Sequence, residues 1–460
     1  MLLEWTAPYR DAYRGAGMRI TEIASAPARI CQAPCGFPVR RPISMNDFFA
    51  FSGAPLMRLQ PKHLNFSAAC LALLALPAAQ ALPMQDVGTS AGPQCVGLDI
   101  NNSGHVVGAC AESDGSFAGF VSLAPGSAAD LVRLSPGRNC NAAAITNSGQ
   151  VVGSCLDGNS VSVGVFWNAA TPATVQTLQP LTLDVRSMPT AFNQGGYVAG
   201  VSLSGSNTAR PVMWRNNETT ARALPAGLLG LNSTNCVPSD VDNFVVGGNM
   251  PGIVGNCPDN SGHPRPVYWS AAVLGGYMAT ALNLPLNAVF CRAKTVVNTR
   301  IMGYCDFGAQ GGRTVVWLNS SSSPQVLSIS SPPARNSGVD LNILGEVIGH
   351  YQMADGRSMP YYWNSQTGVI RDIPPLPGGM NARVVDIGDN GTVAGRSELG
   401  DGSSHAITWT PTGGTVDQGT LAGGENSAAS ALSQDGCYMT GKSEVTQLAT
   451  HAFIQNLCAP

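Results

Sequence analysis

The sequence predicts an all-β chain folded as a single closed β-propeller of eight four-stranded blades, and three observations carry that expectation. The composition is turn-rich and weakly charged, with 53 Gly and 32 Pro in 460 residues, 12% charged and 44% hydrophobic. Such a balance argues against a coiled coil or helical bundle and is too apolar for a disordered chain. A short apolar segment, a polar turn and a second segment ending in glycine recur every 45 to 55 residues, a spacing characteristic of propellers and arrays. Finally, a tryptophan stands fourteen residues after that glycine in six of the eight copies. The competing architectures are an open array or two smaller propellers.

At the start of the chain, residues 57–81 have the layout of a signal peptide: Met57, the cations Arg58 and Lys62, an apolar run over 66–79, and Ala79, Gln80 and Ala81 at the cleavage site. The run of about 14 residues is too short to span a bilayer comfortably, so no lasting membrane anchor is expected. Ser67 and the continuing apolar run argue against a lipoprotein signal at Cys70. Residues 1–56 read as a non-native upstream extension, with translation starting at Met57, or as a disordered leader. Cys31 and Cys35 lack the second pair that a metal site needs. The mature protein is expected to begin at Leu82, to span residues 82–460 and to be secreted or periplasmic. It holds 17 Lys and Arg against 24 Asp and Glu, a formal charge of −7, and its only lysines are Lys294 and Lys442. A phosphate-binding groove needs concentrated positive charge, so nucleic acid is excluded as a partner.

The repeat is plain in LDINNSGHVVGAC, AAITNSGQVVGSC, TAFNQGGYVAGVS, DLNILGEVIGHYQ, VDIGDNGTVAGRS and ASALSQDGCYMTGKS, with two degenerate copies between. Its marker glycines are Gly108, Gly153, Gly200, Gly255, Gly303, Gly349, Gly395 and Gly441. The tryptophans that follow are Trp167, Trp214, Trp269, Trp317, Trp363 and Trp409. This second marker selects Gly255 over Gly247 in the fourth copy and places the eight extra residues in a longer first hairpin loop. Ser122 and Gln455 replace Trp in the first and eighth copies, with Phe120 and Phe453 two positions earlier. Tryptophans in phase with the repeat are expected to pack between sheets rather than to stack on sugars.

Within each copy, strand A is the first apolar segment, as at residues 98–100, and strand B ends at the glycine. Strand C carries the Trp, and strand D is an apolar stretch such as 175–178 or 369–373. Turn residues such as Asn102, Ser103 and Gly104 separate A from B because a tight reversal needs residues that tolerate positive φ. Asp99, Asn101 and Ser103 alternate as in a calcium loop, but Cys110 stands where the bidentate acid belongs, so a hairpin turn is expected. The eighth copy ends without a strand D. Residues 84–89 resemble the segment 416–420 that precedes that copy, so the amino-terminal strand is expected to complete the last blade and remove a free edge.

These residues resemble the HAF-repeat proteins, a family of extracellular repeat proteins named for a His, Ala, Phe run. His405, Ala406, Ile407, Thr408, Trp409 and His451, Ala452, Phe453 match that run, and the likeness covers about residues 84–457. The resemblance implies a secreted β-propeller, and the family supplies no catalytic residues.

Ten cysteines lie in the mature part, and eight of them straddle A–B hairpins: Cys95 with Cys110, Cys140 with Cys155, Cys236 with Cys257, and Cys291 with Cys305. Cys140 and Cys155 are equidistant from the turn centre between Asn147 and Ser148, so they face each other across the strands, close enough to bridge. Cys437 and Cys458 form a fifth pair that would tie down the carboxyl terminus. An even, in-phase set in an exported chain reads as disulfides.

No nucleophile elbow, phosphate loop or dinucleotide fingerprint is present, and the histidines occur singly. No catalytic residue, metal or cofactor is therefore assigned. His405 and His451 share one repeat position, which points to a structural role. Five arginines, Arg138, Arg186, Arg292, Arg335 and Arg383, lie 11 to 15 residues before a marker glycine. They are the candidate anion-binding residues, because arginine presents a bidentate fork to carboxylate or sulfate. The expected function is that of a noncatalytic binding or structural module, monomeric, with an anionic glycan, a cell-surface polymer or another protein as partner. The alternative is a propeller enzyme acting on polysaccharide, a lyase or glycoside hydrolase.

Overall fold

The computed structural model describes residues 82–458 apart from 90–91, 226–230, 232–233, 246–249, 273–274, 330–334 and 447–448. These all belong to one compact unit. The expected signal segment, the stretch 1–56 and Cys31, Cys35 and Cys70 lie outside the described residues.

The described residues are all-β. A short strand, β1 (Gln85–Asp86), precedes β2–β5 (Gln94–Ile100, Val106–Ala111, Phe117–Ser122, Ala129–Asp130) and β6–β9 (Cys140–Ile145, Gln150–Leu156, Ser162–Asn168, Val175–Thr177). Next come β10–β13 (Arg186–Phe192, Val198–Leu203, Ala209–Trp214, Arg222–Ala223) and β14–β17 (Val237–Val245, Pro251–Pro258, Pro264–Ala271, Tyr277–Ala281). They are followed by β18–β21 (Phe290–Val297, Arg300–Asp306, Gly312–Trp317, Gln325–Val326) and β22–β25 (Asn336–Leu341, Glu346–Gln352, Ser358–Asn364, Ile370–Asp372). The last are β26–β29 (Ala382–Ile387, Val393–Glu398, Ser404–Thr410, Gly414–Asp417) and β30–β32 (Ser427–Leu432, Tyr438–Thr446, Ala449–Asn456). Each set from β6 to β29 is a separate antiparallel four-stranded sheet. β30–β32 and β2–β5 share one eight-stranded sheet, joined by a single parallel bridge between Gln94 and Thr450, and β1 pairs antiparallel with β32. The amino-terminal D strand is shorter than the expected 84–89, although Val87 N–H extends the ladder by donating to the Ala452 carbonyl at 3.1 Å.

The glycine period has a steric cause. In every copy the first strand carries a bulge directly opposite the marker glycine, as between Gly97 and Asp99 in β2 or Val384 and Asp386 in β26. A bulge bends its strand toward the partner. At all eight glycines a Cβ would collide with a carbonyl oxygen of that strand, for example Asn141 O at Gly153 or Arg383 O at Gly395. In three copies the other side is closed by the repeat tryptophan, with Trp167, Trp269 and Trp317 Cζ3 lying 2.8–3.0 Å from where that Cβ would be, in the first copy by Phe120 and in the sixth by Tyr361. Each of these indoles is buried, and its Nε1 donates to a carbonyl of the preceding copy, Trp167 to Val132 at 2.9 Å and Trp317 to Asn283 at 2.7 Å. In those three copies the two markers form one packing unit, and in the copies without Trp the fully buried Phe120 and Phe453 face Gly108 and Gly441 in register.

The core is divided between sheets. The described apolar residues form eight clusters, seven of them between sheets consecutive in sequence, as where Val107, Val121 and Leu131 meet Cys140, Val151 and Trp167. The eighth joins Ile100, Val106 and Phe120 of β2–β4 to Ala431, Ala452 and Ile454 of β30 and β32. Side chains at the bulges reach the next sheet as well: Asp99 accepts from Ile145 N–H at 2.8 Å, Asp240 from Val296 N–H at 2.9 Å and Asp386 from Leu432 N–H at 3.0 Å. The first-hairpin turns continue this, with Asn101 Nδ2 on Thr146 O and, at the far end, Asp435 N–H on Asn102 Oδ1 at 3.2 Å. Asp99 and Asn101 therefore serve backbone N–H groups and the turn itself.

All five expected disulfides are present, with Cα–Cα distances of 4.0 Å for Cys95–Cys110, Cys140–Cys155 and Cys291–Cys305, 4.1 Å for Cys236–Cys257 and 4.9 Å for Cys437–Cys458. Cys140 faces Cys155 in register, as the hairpin symmetry requires. Persistent disulfides fit an extracellular or periplasmic setting. No helix among the described residues is long and apolar enough to cross a membrane.

Candidate functional site

The five candidate arginines fall at three register positions. Arg292 faces Tyr304 and Arg383 faces Arg396, in each case the residue immediately after the marker glycine, and both are exposed. Arg186 faces Leu203, the third residue after its glycine, and its guanidinium donates to Asn207 Oδ1 at 2.5 Å. Arg335 matches Arg186, since its carbonyl accepts from Gln352, the third residue after Gly349. Strand alternation puts Arg186 and Arg335 on the same side as Arg292 and Arg383, two residues outward. Arg138, in the turn before β6, comes one residue before Asn139, whose carbonyl accepts from Leu156, the third residue after Gly153. It lies outside the strand, in a turn where its N–H donates to the Ser135 carbonyl. The geometry brings Arg292 and Arg383 together in register and leaves Arg138 apart.

Reading by register also exposes basic residues that a search of the crossovers misses. The position immediately after the marker glycine is Ala109, Ser154, Val201, Asn256 and Tyr304 in the first five copies, then His350, Arg396 and Lys442 in the last three. The bulge residue of β18 is Lys294. Lys294 and Lys442 thus stand on the first two strands of their sheets, in the same half of the chain as Arg292 and Arg383. Side chains at these positions reach the following sheet. Lys294 Nζ donates to Gly338 O at 3.2 Å, and His350 Nε2 accepts from Val384 N–H at 3.2 Å. The second contact leaves Nε2 unprotonated. Burial, followed by the positive charges of Arg383 and Lys294, lowers the His350 pKa to about 4, so the ring is neutral at pH 7.

His405 and His451 hold neighbouring strands. His405 Nδ1 lies 2.8 Å from Asp417 Oδ1 across β28 and β29, and His451 Nδ1 lies 2.6 Å from Asp86 Oδ2 across β32 and β1. The likeness between these two histidines in sequence is therefore a likeness of role. Among the described residues no group of three or more His, Cys, Asp or Glu is arranged to hold a metal ion.

No family model matches the chain, and no curated protein does so. Among solved structures, one from an analysis of two prolyl endopeptidases aligns at a TM-score of 0.52 and 10% identity, over 71% of this chain and 49% of that one. Prolyl oligopeptidase B from Galerina marginata aligns at 0.50 and 8% identity, over 72% and 52%. The β-propeller domain of the Trilobed protease from Pyrococcus furiosus aligns at 0.45 and 10%, over 71% and 97%. The chain thus spans about half the length of the first two, and at these identities the likeness concerns the fold alone.

Proposed function

We propose that the chain is an exported, closed ring of eight four-stranded blades that works as a noncatalytic binding or structural module for an anionic glycan or cell-surface polymer. Ring closure is supported by the eight clusters, because the last of them returns to the first sheet and β1 supplies the fourth strand beside β32. Closure removes exposed sheet edges. Export is supported by the signal-like segment and the five disulfides, and the HAF-like runs agree with both. The observation that carries the ligand class is the register coincidence of Arg292 and Arg383, exposed on one side of their sheets in a mature chain of formal charge −7. Arg186 and Arg335 extend that side, and Arg138 stands in the turn before β6.

A glycan and polysaccharide array, run in parallel with an assay for released product, tests the reading. Binding without product is expected. Replacing Arg138, Arg292 and Arg383 together with Gln should weaken binding of an anionic polymer, with a loss that shrinks as salt rises. Product release would transfer the protein to the lyase or glycoside hydrolase class, and binding unchanged at low salt would remove the arginines from the site.

A further inference from the structure

The pair Arg383 and Arg396 presents an electrostatic problem. The two face each other in register on adjacent strands β26 and β27, so their side chains leave the same face of the sheet. Directly opposed like charges destabilise a strand pair. Neither arginine belongs to an ion pair among the described residues. The surroundings add more positive charge, since Lys294 reaches from β18 onto Gly338 and His350 reaches from β23 onto Val384, the residue next to Arg383. The two charges that act on the His350 ring are those of Arg383 and Lys294, both positive. Three consecutive sheets therefore direct basic side chains to one place. The equivalent positions in the first three sheets carry Val96, Asn141 and Met188 on the first strand and Ala109, Ser154 and Val201 on the second. At this pair of register positions the first three sheets carry no positive charge.

We infer that Arg383, Arg396, Lys294 and His350 form a single oxyanion site, which takes one sulfate or carboxylate group of a glycan between the two register-paired arginines. An oxyanion there turns the like-charge contact into two charge-assisted contacts, and the fork of each arginine can engage it in a bidentate manner. Lys294 adds a third positive charge. His350, held neutral with Nε2 on Val384 N–H, has Nδ1–H left to donate. The inference sharpens the binding reading above, on which it rests for the glycan, while the oxyanion site itself does not depend on it.

The test uses the mature chain and inorganic sulfate as first probe, followed by thermal shift and calorimetry at low ionic strength. A sulfated oligosaccharide and a uronic acid oligosaccharide form the second arm. Saturable binding of sulfate is expected, with affinity falling about tenfold or more in both Arg383→Gln and Arg396→Gln and unchanged in Arg222→Gln, a substitution at an exposed arginine of β13 that pairs with Glu218. Removing one guanidinium also relieves the like-charge contact, so each single variant should unfold at or above the wild-type temperature without anion, which separates lost binding from lost folding. Equal sulfate affinity in wild type and both variants, or no saturable binding in wild type, overturns the site. Sulfate binding with no response to any glycan upholds the site and overturns the glycan reading. Of the two oligosaccharides, the one whose affinity falls in Arg383→Gln names the group that is bound.

Discussion

His451 in β32 and Asp86 in β1 are 365 residues apart in the chain and share a hydrogen bond of 2.6 Å. The same bond joins His405 to Asp417, but there the two strands are consecutive and a hairpin already keeps them together. At His451 the bond fastens the amino-terminal strand to the last sheet, beside fully buried Val87. His451→Ala should lower unfolding free energy by about 1–2 kcal/mol, and His405→Ala by less. Chemical denaturation of the two variants side by side checks this, and equal losses would contradict a special role for the terminal pair.

Deletion of residues 82–92 should cost far more than the His451 substitution. It removes β1, the Val87 contact with the shared core, and the cover over the edge of β32. Deletion of residues 456–460 should cost less, chiefly the Cys437–Cys458 link. Equal melting temperatures for the first deletion and the intact chain would show that β1 does not close the ring.

The marker glycines predict an unusual intolerance of alanine. Gly153→Ala or Gly303→Ala places a methyl group against a strand carbonyl on one side and the edge of Trp167 or Trp317 on the other. Strand shifts of this kind typically cost about 1–3 kcal/mol. Gly402→Ala is a useful comparison: there a Cβ would meet nothing within 4 Å, and the cost arises only from the positive φ of 90°. A smaller loss of stability at Gly153 than at Gly402 would refute the steric account of the repeat.

A nonreducing digest should yield five linked peptide pairs, and free thiols at Cys140 and Cys155 would be incompatible with the fold described. Removing the Cys140–Cys155 bridge should cost less than the roughly 3 kcal/mol of the chain-entropy treatment for a 15-residue loop. The hairpin that flanks it already restricts the unfolded chain.

What was legible in the sequence was whatever the repeat imposes on every copy. The glycine and the tryptophan recur because one collision and one burial recur, and the facing cysteines follow from hairpin symmetry. The eight-residue insertion was legible for the same reason, since Trp269 fixed Gly255 as the residue opposite Pro238. The bulge in the first strand was not, because an extra residue opposite glycine leaves no mark on an apolar pattern. A window of 11 to 15 residues before the glycine mixes odd and even spacings, and the first-hairpin turns differ in length, so it gathers Arg138, which precedes β6, with residues at other register positions. His350, Arg396 and Lys442 are one position past the glycine and differ in type, so they form a set only once the sheets are aligned.

The last prediction concerns pH. His350 has a folded pKa lowered to about 4, against about 6.5 in an unfolded chain. Between these values the unfolded state holds more protons, so stability rises with pH across the window. The contribution is fully present above about pH 6.5 and is lost as pH falls toward 4, with an upper bound of about 3 kcal/mol. Carboxylates titrate in the same range, but they are common to wild type and to His350→Gln, so the difference between the two isolates the imidazole. That difference in unfolding free energy should shrink steadily from pH 7 to pH 4 in denaturation series at constant ionic strength. Burial is the main cause of the lowered pKa, and Arg383→Gln removes one of the two charges that add to it, so the ring's titration should move upward when followed by NMR. A stability difference that does not change between pH 4 and 7 would place His350 in water rather than against Val384, and the oxyanion site would lose one of its walls.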